Sequence, residues 1–175
     1  MTEANINRLT TGLLEHSQFA HHPFDSELAG TLLDRYLDAL DPSRSVFLQS
    51  DVDELAAGGA SLSEATRQSG DNHAEQAIFA RYLERLEQRA SYLTKTLQTA
   101  SFDFTGHDVY AFNRDDAQRP RDLTAAKTLW LQQLRAAYLE EKLGDKRPEE
   151  IVGTLTKRYA QQLKMMKSLG KDEVL

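Results

Sequence analysis

Residues 72–100 read NHAEQAIFARYLERLEQRASYLTKTLQTA, and this stretch decides the fold class. Ile78, Tyr82, Leu86, Ala90, Leu93 and Leu97 recur at steps of four, four, four, three and four, which keeps them on one stripe of an α-helix. Such a helix is roughly 40 Å long at about 1.5 Å per residue, and it can bury its stripe only against other helices. The stretch therefore predicts the spine of a helical bundle.

Working outward, the same period recurs on both sides. Upstream, residues 5–19 place Ile6, Leu9, Leu13 and Leu14 on one face, and His21-His22-Pro23 breaks that helix. Asp25 or Ser26 can cap a second helix with Leu28, Leu32, Leu33, Tyr36, Leu37 and Leu40 inward, ending at Asp41-Pro42. After a connector over 42–49, Ser50-Asp51-Val52-Asp53 starts a short helix over 50–57 that Gly58-Gly59 stops. Ser61-Leu62-Ser63-Glu64 reads as a capping box for a further short helix over 61–69. Downstream, residues 101–121 lose the pattern, and Phe102, Phe104, Tyr110 and Phe112 are expected to pin a long connection onto the bundle. Two more helices complete the reading. One spans about 122–143, burying Leu123, Trp130, Leu134 and Tyr138, with Gly144 as its stop. The other begins at Pro148 and carries Ile151, Leu155, Tyr159, Leu163 and Met166 inward toward Gly170. The expected architecture is all-α: an irregular bundle of about six helices with one aromatic-rich connection, residues 1–175 forming a single domain.

Composition agrees with a globular domain, since 40% of the residues are apolar and 27% charged. No run approaches the roughly 18 apolar residues that a membrane span requires. A net charge of −6 argues against nucleic acid, whose phosphates call for a concentrated basic surface. That charge is uneven: residues 1–75 hold 13 acids and 4 bases, residues 76–175 hold 14 acids and 17 bases. Such asymmetry points to complementarity within the molecule or to solvated helix faces. There is no cysteine, which excludes disulfides, zinc-thiolate sites and thiol chemistry. The start, Met1-Thr2-Glu3-Ala4-Asn5, has neither a basic nor an apolar leader region, so any secretion signal is expected to have been removed or never to have been there.

Motifs for chemistry are sparse. None of the five histidines follows a glutamate at a spacing of three, as a carboxylate-bridged di-metal bundle needs. Zincin, nucleophile-elbow, dinucleotide and phosphate-loop patterns are also missing. Ser168-Leu169-Gly170-Lys171 has the Ser-x-x-Lys spacing of penicillin-recognising enzymes but none of their companion motifs, so a glycine-terminated helix end is the better reading. His16, His21 and His22, near Glu15 and Asp25, are suitable metal ligands, though a hairpin with surface histidines is the commoner arrangement. His107-Asp108 reads as a loop hydrogen bond. Lys157, Arg158, Lys164, Lys167 and Lys171 make one side of the last helix basic, as a solvated face or a match to the acidic first half. No residue is assigned a catalytic, cofactor-binding or metal-binding role, and no cofactor is expected.

Several strings, taken together, resemble the N-terminal helical domain of bacterial tail-specific (carboxy-terminal processing) proteases. They are Asp34-Arg35-Tyr36-Leu37-Asp38-Ala39-Leu40-Asp41, then Val46-Phe47-Leu48-Gln49-Ser50-Asp51-Val52, then Phe102-Asp103-Phe104-Thr105-Gly106-His107-Asp108-Val109-Tyr110, then Leu129-Trp130 and Thr154-Leu155-Thr156-Lys157-Arg158-Tyr159. The Phe-x-Phe-Thr-Gly-x-Asp-x-Tyr string is the most specific. The resemblance implies a periplasmic enzyme in which this domain precedes a PDZ domain and a protease domain with a Ser/Lys dyad. It carries no catalytic or peptide-binding residue onto this sequence. The implied function is a non-catalytic scaffold and interaction domain, partnered by the downstream PDZ and protease domains and by an adaptor protein. A free-standing helical adaptor is the alternative, and a metal-dependent bundle using the N-terminal histidines a third reading.

Overall fold

The structure, a computed structural model, describes residues 26–58, 73–107 and 109–172, without the side chains of 26–29, 73–74 and 170–172. Five helices occur among the described residues: α1 (Ser26–Leu40), α2 (49–58), α3 (His73–Thr99), α4 (Leu123–Leu143) and α5 (Pro148–Asp172). No strand occurs among them. The helices expected over 5–19 and 61–69 lie outside the described residues.

The long helix α3 is the spine, and its stripe faces inward as the spacing requires. Ile78, Tyr82, Leu86, Leu93 and Leu97 are buried and Ala90 is half-buried. Two clusters of apolar side chains share this stripe. Toward the start of α3, Ile78, Tyr82 and Leu86 pack with Leu37 of α1 and with Val46 and Phe47, joined at the edge by Leu163 and Met166. Toward its end, Leu93 and Leu97 pack with Leu48, with Ala126, Trp130 and Leu134 of α4, and with Ile151 and Leu155 of α5. Early residues of α5 thus meet late residues of α3 and the reverse, so the two helices run antiparallel along each other. Each fully buried large apolar side chain contributes about 1.5–3 kcal/mol relative to exposure, so the loss of one such contact is felt by the whole domain.

Local signals explain the helix ends, with three differences from the sequence reading. Asp122 caps α4 through its carboxylate, which accepts from the Ala125 N–H at 2.9 Å. Gly144 ends that helix, but the left-handed residue is Asp145, at φ 59°. The short helix begins at 49 rather than 50: Asp51 is its third residue, and its carboxylate reaches back to the Leu48 N–H at 3.0 Å. α5 starts the same way, the Glu150 carboxylate accepting from the Arg147 N–H at 3.1 Å. It does not stop at Gly170 but runs on to Asp172. Leu32, expected inward, is 45% exposed, because it sits roughly 140° round the helix from Leu37 at about 100° per residue. No helix among the described residues is long and apolar enough to cross a membrane.

Candidate interaction surface and its polar frame

Between α1 and α2 the chain turns over a buried carboxylate. Asp41, the first residue past α1, accepts from the backbone N–H groups of Ser45, Val46 and Phe47 at 2.9, 2.9 and 3.1 Å. That wrap needs a tight reversal, and Arg44 supplies it in the left-handed region at φ 47°. The Arg44 guanidinium turns back onto Asp38 as a two-pronged pair at 3.1 and 2.9 Å. Arg119, from the far end of the long connection, donates to Asp41 at 3.1 Å and to Asp38 at 2.7 Å, and lies over the Phe47 ring. Ten residues past Asp41, Asp51 is fully buried and accepts from Arg85 at 2.8 and 2.7 Å and from Arg81 at 2.6 Å. Burial works against the Asp51 charge, but the donors from Arg85, Leu48 and Arg81 outweigh it and hold the carboxyl below its ordinary pKa.

This frame accounts for the charge asymmetry of the sequence. Asp38, Asp41, Asp51 and Glu54 from the acidic half meet Arg81, Arg85 and Arg119 from the basic half. The basic side of α5 does not take part: Arg158 pairs with Glu141 and Lys167 with Glu87, both acids of the second half. Lys157 and Lys164 are exposed.

The connection from 100 to 122 contains no helix or strand among its described residues and is fastened at both ends. Phe102 and Phe104 pack on Tyr138, with centroids 4.7 and 6.0 Å away, and Arg135 lies over Phe104 while donating to the Asp103 carbonyl at 2.9 Å. Asp103 closes a small turn by accepting from both the N–H and the hydroxyl of Thr105. At the other end, Arg114 donates to the Ser43 carbonyl and the Gln49 N–H to the Pro120 carbonyl. The indole N–H of buried Trp130 donates to the Ser45 carbonyl at 2.6 Å, tying α4 to the same turn. Of the four aromatics expected to pin the connection, Phe102 and Phe104 do so. Phe112 instead stands 76% exposed, edge-on to Tyr110.

The Ser168 hydroxyl donates to the Met165 carbonyl at 2.7 Å, a bond internal to α5, and the Lys171 side chain lies outside the described residues. His107 is exposed. Asp108, Glu15, His16, His21, His22 and Asp25 are outside the described residues. Among the described residues no group of three or more histidines and carboxylates could hold a metal. What the surface does offer is apolar: Met165 and Leu169, 58% and 51% exposed, line one flank of α5, while Leu163 and Met166 on its other flank join the core. The sequence reading does not find Asp41, Asp51 or Arg89, which have partners far along the chain.

A family model described as the tail specific protease N-terminal domain matches residues 10–175. A tail-specific protease of Haemophilus influenzae (strain ATCC 51907 / DSM 11121 / KW20 / Rd) is 31% identical over 169 residues, which cover 96% of this chain and 24% of that protein. This chain belongs to the tail specific protease N-terminal domain family, and it spans about a quarter of the length of that relative.

Proposed function

We propose, starting from that membership, that residues 1–175 form one non-catalytic scaffold and interaction domain of a tail-specific, carboxy-terminal processing serine protease. Its parent enzyme trims or degrades periplasmic proteins from their C-termini. The domain's partners are the PDZ and protease domains of the same polypeptide, with an adaptor protein as a further partner. The observation that carries this reading is the distal half of α5. Met165 and Leu169 present an apolar flank on a helix whose other flank is committed to the core, and such a flank gains stability only when something covers it. The buried carboxylates support the scaffold role, because their ionised groups are engaged in holding turns and helices together rather than aimed at a shared space where a substrate would sit.

The test is amide exchange at residues 160–172, compared between this chain and a longer polypeptide that continues into the rest of the protease. The expected result is slower exchange in the longer protein, lost again in Met165→Asp and Leu169→Asp. Identical exchange in both proteins, with unaltered proteolysis by the two variants, would refute the assignment of this flank.

A further inference from the structure

From Ile151 to Leu169 the helix α5 carries Lys157, Arg158, Lys164 and Lys167 and no acid. Two of these charges are answered from elsewhere in the fold, Arg158 by Glu141 of α4 and Lys167 by Glu87 of α3. Lys157 and Lys164 are exposed, and neither makes an ion pair among the described residues. A helix face that serves only solubility mixes signs, because an acid one turn away supports each base, whereas like charges along one helix repel. Folding gains nothing from this run of bases.

The helical phase places the two free charges beside the apolar flank. At about 100° and 1.5 Å per residue, Lys164 stands only about 20° round from Lys157 and about 10.5 Å further along the axis, so the two form one row. Met165 and Leu169, 58% and 51% exposed, form a second row. The mean directions of the two rows differ by about 110°, with exposed Gln161 and Ser168 between them. That is the width of face a helix presents to a packed neighbour. Leu155, Tyr159, Leu163 and Met166, on the opposite side, are committed to the two core clusters.

The chemistry of this outer face indicates what covers it. Ammonium groups about two turns apart suit carboxylates at the same spacing, which a facing helix supplies from residues about seven apart, and the second row takes apolar side chains from that helix. A lipid surface is the poorer match, since interfacial helices present a broad apolar face rich in Trp, Phe and Leu, and here the exposed apolar row is Met165 and Leu169. We propose that the outer face of α5 binds an acidic helix of the protease polypeptide lying outside residues 1–175, its carboxylates on Lys157 and Lys164 and its apolar side chains on Met165 and Leu169. This rests on the reading above that the rest of the polypeptide covers the flank, and it adds the charge and form of the covering segment.

The test uses the longer polypeptide. A carbodiimide joins an amine to a carboxylate only where the two touch, and the expected cross-links run from Lys157 and Lys164 to Asp or Glu side chains outside residues 1–175, about two helical turns apart. Lys157→Glu with Lys164→Glu should speed amide exchange at residues 160–169 of the longer polypeptide about tenfold or more, and should leave the melting temperature of the 175-residue chain unchanged, since both positions are exposed. Lys157→Arg with Lys164→Arg keeps the charge, so exchange should stay slow although the cross-links vanish. Cross-links that are absent, confined to residues 1–175 or formed between two copies of the chain would overturn the proposal, as would a lowered melting temperature in the charge-reversed chain, which would make the lysines structural. Exchange that slows in the longer polypeptide but ignores charge reversal removes the acidic helix and keeps the covered flank, whereas equal exchange in the two proteins removes both. Sedimentation with phosphatidylglycerol vesicles that needs both lysines, without cross-links, would assign the face to a lipid surface and overturn the proposal.

Discussion

Replacing Asp51 by asparagine removes one charge and leaves the shape almost unchanged, so it isolates what the ion pair contributes. Both carboxylate oxygens are in use, one accepting from Leu48 N–H and Arg85, the other from Arg85 and Arg81. An asparagine keeps one oxygen and presents N–H groups where the other was, so a donor must face a donor. The side chain is fully buried and has no water to turn toward, and Arg85 is only 14% exposed. Breaking a buried pair by removing one partner costs about 3–5 kcal/mol. The lower end applies here, because Arg81 keeps Glu54 and Glu84 and Arg85 keeps Gln88. We therefore expect a loss of about 3 kcal/mol, a large part of the roughly 5–15 kcal/mol that holds a domain folded. In urea, where the slope is about 1–3 kcal/mol per molar, the midpoint should fall by about 1–3 M. Asp53→Asn, which accepts from the Gln49 amide at the surface, should stay within about 0.5 kcal/mol. A double-mutant cycle with Arg85→Met should return a coupling of about 1–3 kcal/mol. Equal losses at 51 and 53, or a coupling near zero, would refute the view that this pair holds the turn.

Leu86→Ala on α3 should cost about 2–5 kcal/mol by cavity formation, whereas Glu87→Ala, which loses only an exposed pair with Lys167, should stay within about 0.5 kcal/mol; calorimetry on the two variants checks the phase of the spine. Trp130→Phe leaves the buried Ser45 carbonyl without its donor and opens space in the core, so a loss of about 2–4 kcal/mol is expected in chemical denaturation. Acid should unfold the chain through its paired carboxylates. The folded pKa of Asp51 lies below its unfolded value near 3.9, so its stabilisation is complete above about pH 4 and is lost as pH falls through the depressed folded value. Asp51→Asn should flatten the pH dependence of stability below about pH 4, and an unchanged slope would show that other groups govern it.

The spine, the inward faces of α4 and α5, and the start of α5 at Pro148 were legible because each is a local statement. Helical period, caps and proline positions depend on residues within a few places of one another. The polar frame was not, because its meaning is distant: Asp51 meets Arg85 across 34 residues, Asp41 meets Arg119 across 78, and Ser45 meets Trp130 across 85. Asp41 beside Pro42 reads as a helix end, and it is one, but nothing nearby announces the three N–H groups it gathers. One helix start was hidden for a subtler reason. Leu48 has no capping oxygen of its own, and the Asp51 carboxylate three residues on supplies only the return half of a capping box. A search for Ser or Thr followed by Glu passes over it.

The strings that resemble the family overlap the frame that organises the structure. Leu37, Asp38 and Asp41 in the first string, and Val46, Phe47, Leu48 and Asp51 in the second, are the buried turn and its anchors. Phe102, Asp103, Phe104 and Thr105 fasten the connection to α4, and Trp130 returns to the turn through Ser45. A helical bundle of this size can be built from apolar periodicity alone, and many unrelated sequences satisfy that requirement. A buried carboxylate with four donors admits far fewer substitutions, since each change strands a charge or an N–H group away from water. That difference explains why the helical stripes identify only the fold class, whereas the resemblance rests on strings that include the turn between α1 and α2 and the start of the long connection.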